Sequence, residues 1–124
     1  MKKLFCIVLL VGLVVALGGC GGSSSAASER NINIATRAVE IADEFLDASI
    51  SARDAHDRIG ELADIDTTRI GDMDVDTANT VLSSNLLLLH ISLSAVAWED
   101  TIENYDTVLE NRNSLAERIG MRNR

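Results

Sequence analysis

The chain contains no proline, only 3% aromatic residues, two cysteines and two lysines, and both lysines fall at positions 2 and 3. Without proline nothing obliges a helix to break, and scarce aromatic side chains disfavour a sheet-rich fold, so long helices are expected. Cys6 lies within an N-terminal apolar run and Cys20 just after it, so residues 21–124 hold no thiol and no disulfide can form within them. A small domain built this way depends on packing or on partners rather than on crosslinks. From residue 20 onward the nine basic residues are all arginine, and nine less the 19 acidic residues leaves a formal charge of −10. Such a body is repelled by nucleic acid phosphates and by anionic head groups, which argues against both as ligands. Catalytic patterns are missing as well: there is no Gly-rich phosphate loop, no Ser-His-Asp set at an arguable spacing and no cysteine nucleophile. Neither an enzyme nor a cofactor is expected.

What is present begins with location. Lys2 and Lys3 precede an apolar run of 14 residues, 4–17, and then Gly18 and Gly19, the three-part layout of a secretory signal peptide. The run is shorter than the roughly 20 residues that span a bilayer as a helix. Cys20 follows two small residues directly, and Leu17-Gly18-Gly19-Cys20 resembles the lipobox of bacterial lipoprotein precursors. The resemblance implies that the Cys20 thiol takes a diacylglyceryl group, that a peptidase cuts before it, and that fatty chains such as palmitate hold the chain at the membrane. In diderm members of that family an Asp after the cysteine favours the inner membrane, so Gly21 implies delivery to the outer membrane where the host has one. The alternatives are ordinary signal-peptidase cleavage near Gly19, or retention of residues 4–17 as a membrane helix.

Residues 21–28, GGSSSAAS, have the composition of a flexible spacer that reaches roughly 15 Å as a random coil. Ser28 or Asn31 offers an N-cap. Ala35, Ala38, Ala42, Phe45, Ser49, Ala52, His56, Ile59 and Ala63 then recur at spacings of three and four. This alanine-rich, coiled-coil-like stripe predicts one helix from about residue 31 to about residue 64, with Gly60 as a point where it frays or stops. Residues 65–76 are polar and contain Gly71, so they read as a connection, with Asp74 or Asp76 capping the next helix. A second stripe runs through Val81, Ser84, Leu88, Ile91, Ala95, Trp98, Ile102, Tyr105, Leu109, Arg112, Ala116 and Ile119. It predicts a helix from about residue 77 to about residue 119, stopped by Gly120. Arg-Ile-Gly recurs at 58–60, 69–71 and 118–120 without a common period around it, and reads as helix-end chemistry.

Residues 86–98 are apolar around nearly the whole helix, interrupted by His90, Ser92 and Ser94. A two-helix hairpin covers one face of such a segment, so either the first helix is broken and wraps it or other subunits bury the rest. Self-association is the preferred reading, with Leu86, Leu89, Leu93, Val96 and Trp98 as the interaction surface and with Trp98 and Tyr105 as packing residues. A short strand through the alternation around 89–95 is the lesser alternative. A membrane span beginning near Val81 is disfavoured by Asn85 and His90.

Asp72, Asp74 and Asp76 read D-x-D-x-D, the opening of a calcium loop, yet Thr77 and Ser83 stand where such a loop needs Gly and Glu. Helix capping is the preferred account of the cluster. His56 and His90 would meet if the helices pair antiparallel, and Asp54 or Asp57 could join them around a metal. Packing at a core or interface is preferred, and no metal is expected.

These features predict an all-α protein. Residues 1–19 form a signal peptide, 20–30 a lipidated Cys20 with its tether, and 31–124 a long helical hairpin that assembles into a larger bundle. The expected function is a cell-envelope lipoprotein presenting a helical surface to another copy or to an envelope protein, in a structural, assembly, inhibitory or exclusion role. The alternative is an envelope-anchored carrier, either of a small apolar ligand in a cavity lined by Leu86, Leu89, Leu93 and Val96 or of a metal ion.

Overall fold

The computed structural model describes residues 27–124. The signal-peptide segment, Cys20 and most of the tether lie outside the described residues. Four helices follow in order: α1 (Glu29–Leu46), α2 (Ala52–Gly60), α3 (Met73–Trp98) and α4 (Ile102–Arg118). The chain is all-α as expected, with no strand among the described residues, and 89–95 is helical.

Each of the two long helices expected from periodicity is divided in two. α1 stops at Leu46 because Ala48 turns to φ 58°, which lets the Ser49 N–H reach the Glu44 carbonyl at 2.8 Å and the Ala48 N–H reach the Phe45 carbonyl at 2.9 Å. This pair of bonds is a Schellman closure, usually built on glycine. The Ser51 side chain then caps α2 by accepting from the Asp54 N–H at 3.0 Å. The second break comes at Glu99, which is extended. Thr101 caps α4 there, accepting from the Asn104 N–H at 3.2 Å, while Asn104 Nδ2 donates to the Glu99 carbonyl at 2.7 Å.

Other ends follow the sequence more closely. Ser28 caps α1, accepting from the Asn31 N–H at 3.4 Å. Ala27 is already buried, so the folded body begins a few residues before the boundary expected at 31. α2 ends on Gly60, and α4 closes on Gly120 at φ 72°, with the Met121 N–H bonded to the Ala116 carbonyl at 2.8 Å. α3 starts earlier than expected, capped by Asp72, which accepts from the N–H groups of Asp74 and Val75 at 3.1 and 3.3 Å.

α3 packs against α4, α2 and α1, and α1 also packs against α4 and α2. The broken first helix therefore wraps the apolar segment, the first of the two ways of covering it. Buried Ala35, Ala38, Ala42, Ala55 and Ala116 let the helices approach closely around Leu82, Leu89, Leu93, Val108 and Leu115. Full burial of one such leucine is worth about 2 to 3 kcal/mol.

Two polar ties fix the register of this core. Asn31 is fully buried; its Nδ2 donates to the Asp66 carbonyl at 2.8 Å and to Asn79 Oδ1 at 2.9 Å, and its Oδ1 accepts from the Asp66 N–H at 2.9 Å. Asn79 Oδ1 also accepts from the Ser28 N–H at 3.1 Å, so one pair of amides joins the start of α1, the connector and α3. Arg112, 4% exposed, grips both oxygens of Asp43 at 2.8 and 2.9 Å and donates to the Arg122 carbonyl at 2.6 Å. A buried guanidinium is tolerated because its donors are met.

Candidate interaction surface

The two faces of α3 are exchanged relative to expectation. Leu89, Leu93 and Val96, expected to form an interaction surface, are buried inside the bundle, and Leu86 is partly buried against it. Leu88, Ile91 and Trp98, expected at the seam, point outward, and Trp98 is 89% exposed rather than a packing residue. Between residues 86 and 98 no charged side chain marks a solvent side, so spacing alone carries no phase there. The burial of Leu89, Leu93 and Val96 also removes the need for a second copy to cover them. Of the five residues expected at the surface, Trp98 is the one exposed.

The outer face of α3 carries large apolar residues at Leu87, Leu88, Ile91 and Trp98, with half-buried Ser94 and Ala95 between the last two. At 100° per residue, Leu87, Ile91 and Trp98 fall within about 40° of one another, and the stripe extends roughly 16 Å along the helix. Leu88 lies beside it, its carbonyl accepting from Asn111 Nδ2 of α4 at 3.2 Å, and Ile102 continues the stripe past the turn at 83% exposed. Large exposed apolar residues grouped on one face mark a site of association, whereas scattered ones do not. By length and composition α3 could cross a membrane, but its inward stripe is occupied by the other three helices. Tyr105 behaves as expected, packing on Phe45 with ring centres 4.8 Å apart and donating from its hydroxyl to the Phe45 carbonyl at 3.4 Å.

His56 and His90 do meet. Their rings stack with centres 4.0 Å apart and planes 13° from parallel. His56 Nδ1 lies 3.1 Å from Asp57 Oδ1, while His90 Nε2 is buried without a hydrogen-bond partner among the described residues. Burial first, and the neighbouring His56 second, push the His90 imidazole below its ordinary pKa of 6.5. A shallow depression lined by His56, His90, Ile91, Trp98, Glu99 and Asn104 links this pair to the apolar stripe. Among the described residues no three His, Cys, Asp or Glu side chains group closely enough to hold a metal ion.

The acidic connector is committed to backbone. Asp72 caps α3, and the two oxygens of Asp76 accept from the N–H groups of Ile70 and Gly71 at 2.9 and 3.3 Å. The D-x-D-x-D run is therefore used as a helix start, and Asp76 braces the Arg-Ile-Gly turn at 69–71, where Gly71 sits at φ 92°. The other two Arg-Ile-Gly copies end α2 and α4.

Orientation relative to the N-terminal segment follows from Ser28, bonded to Asn79 near the start of α3. Trp98 lies nineteen residues further along the same helix, about 28 Å away. Compared with known protein families, with curated proteins and with solved structures, the chain matches none.

Proposed function

We propose that this chain is a lipid-anchored envelope lipoprotein whose helical bundle presents the outer face of α3 to a protein partner. The observation that carries the proposal is the set of exposed large apolar residues Leu87, Leu88, Ile91, Trp98 and Ile102 on a bundle whose core is already filled. A solvated surface gains nothing from such a set, while a partner that buries it recovers about 25 cal/mol for each Å² covered.

The lipobox-like Leu17-Gly18-Gly19-Cys20 supports the anchor, and the Gly/Ser-rich spacer supports a domain held close to the membrane yet free to turn. In this reading Cys20 is a tether, the base of the bundle near Ser28 faces the lipid, and the Trp98 end projects outward.

Photo-crosslinking in cells tests the docking face. A photoreactive residue at Ile91 or Trp98 should give a discrete adduct, and one at the exposed Ser114 of α4 should not; adducts at Ser114 alone, or at none, would count against the face. Fatty-acid labelling tests the anchor. Label should enter the native chain and be lost in Cys20→Ser, together with envelope association.

A further inference from the structure

We infer that the corner where α3 turns into α4 docks a cationic amphipathic helix, an apolar face flanked by lysine or arginine, on the partner protein. This inference rests on the docking reading above and adds the chemistry of the partner. Trp98 and Ile102, the most exposed large apolar residues of the α3–α4 hairpin, flank the turn. Within 99–110 stand Glu99, Asp100, Glu103, Asp106 and Glu110, all exposed. None of them takes part in an ion pair among the described residues.

Around the end of α1, by contrast, four acids are neutralised within the chain. Glu40 and Glu44 meet Arg37, Glu44 also meets Arg58, and Asp43 and Asp47 meet Arg112 and Arg124. Residues 70–111 contain no lysine or arginine at all, so the α3–α4 turn has no counter-charge of its own within that stretch. An apolar anchor ringed by unpaired carboxylates complements a helix with apolar residues on one face and cations beside them. The open face of the Trp98 indole adds a cation–π surface for the same lysines or arginines.

Two other occupants fit less well. A second copy would set five carboxylates against five, and like charges across an interface cost affinity. A lipid surface is disfavoured because the five carboxylates of the corner are repelled by anionic head groups and would lose their hydration against a bilayer.

Trp98 is the sole tryptophan, so its emission reports on this corner directly. The full chain is reconstituted in phosphatidylcholine nanodiscs and titrated with an amphipathic Leu/Lys peptide or with a Leu/Glu peptide of the same length and apolar face. The Leu/Lys peptide should shift Trp98 emission to the blue and the Leu/Glu peptide should not. Affinity for Leu/Lys should fall at least about tenfold between 0.1 and 1 M salt, as the screening length drops from roughly 10 to 3 Å. A similar loss is expected in the combined variant Glu99→Gln, Asp100→Asn, Glu103→Gln, Asp106→Asn, with the melting temperature measured alongside. Equal shifts with both peptides would overturn the cationic partner while leaving apolar docking standing. No shift with either would overturn both, and emission already blue-shifted in the nanodisc before any peptide is added would assign the corner to lipid instead.

Discussion

The imidazole of His90 lies flat on that of His56, with ring centres 4.0 Å apart, and its buried Nε2 faces Gly60 with no hydrogen-bond partner among the described residues. A Cβ at Gly60 would stand 3.3 Å from that nitrogen, so the glycine that ends α2 also makes room for the ring. Burial first, and the imidazole of His56 second, disfavour a proton on His90.

Acid should therefore loosen the contact between α2 and α3. His90 is depressed below 6.5, by burial and by His56, against a smaller opposing pull from Asp57. The unfolded chain then binds the proton more readily, so the stabilisation is complete above about pH 6.5 and is lost as pH falls from there through the lower value in the fold. Thermal melts from pH 7.5 to 5 should show a falling midpoint, with a smaller fall in His90→Phe, which keeps a flat ring on His56. The carboxyls of Glu44 and Asp47, each held below its ordinary value by an arginine hydrogen bond, act below the ordinary carboxylate range and do not confuse the window.

Removing Asp43 should be costly. Its carboxylate is the charge partner of the buried Arg112, and Asp43→Ala strands a guanidinium with only Asn113 Oδ1 and the Arg122 carbonyl for company. About 3 kcal/mol of stability should be lost in urea unfolding, the usual scale for a broken buried pair. Asp47→Ala touches only the exposed pairing with Arg124 and should cost far less.

Ala48→Gly should stabilise the protein. Ala48 is exposed and left-handed at φ 58°, a conformation that costs an L-residue about 1 kcal/mol and glycine almost nothing. A gain of about 0.5 kcal/mol is expected once glycine's greater freedom in the unfolded chain is counted. No gain would show that the chain does not close α1 in this way.

The exchanged faces of α3 give the sharpest contrast. Leu93→Ala removes a fully buried side chain and should cost about 3 kcal/mol. Ile91→Ala, two residues away on the outer stripe, should change stability by less than about 0.5 kcal/mol and instead weaken partner capture. Chemical denaturation of the two variants side by side decides between the two assignments of the helix.

The caps were legible in the sequence and the phase of α3 was not. Ser28 and Gly120 act through local chemistry that a few residues encode, and both ends fall where that chemistry places them. The break at Ala48 was hidden because alanine is a strong helix former and nothing local marks it for a left-handed turn. The break at Glu99 was masked by apolar spacing that runs on through Trp98, Ile102 and Tyr105. One signal for the outer face was present: Thr80 and Ser84, both exposed, precede Leu87, Leu88 and Ile91 on the same side of the helix. Reading the polar start forward places Leu87 and Ile91 on the surface. The pairing of Asn31 with Asn79, 48 residues apart, has no local signature at all.

Protection of Ile91 in living cells tests the central claim most directly. Cys20 is expected to be acylated, so an Ile91→Cys chain that also carries Cys6→Ala has one free thiol for a maleimide that does not cross the inner membrane. That thiol should react quickly in the purified protein and slowly in cells, while Ser114→Cys on α4 reacts quickly in both. Equal reactivity of position 91 in the two settings would mean that nothing covers the outer face of α3, and the proposal of a docked partner would fail.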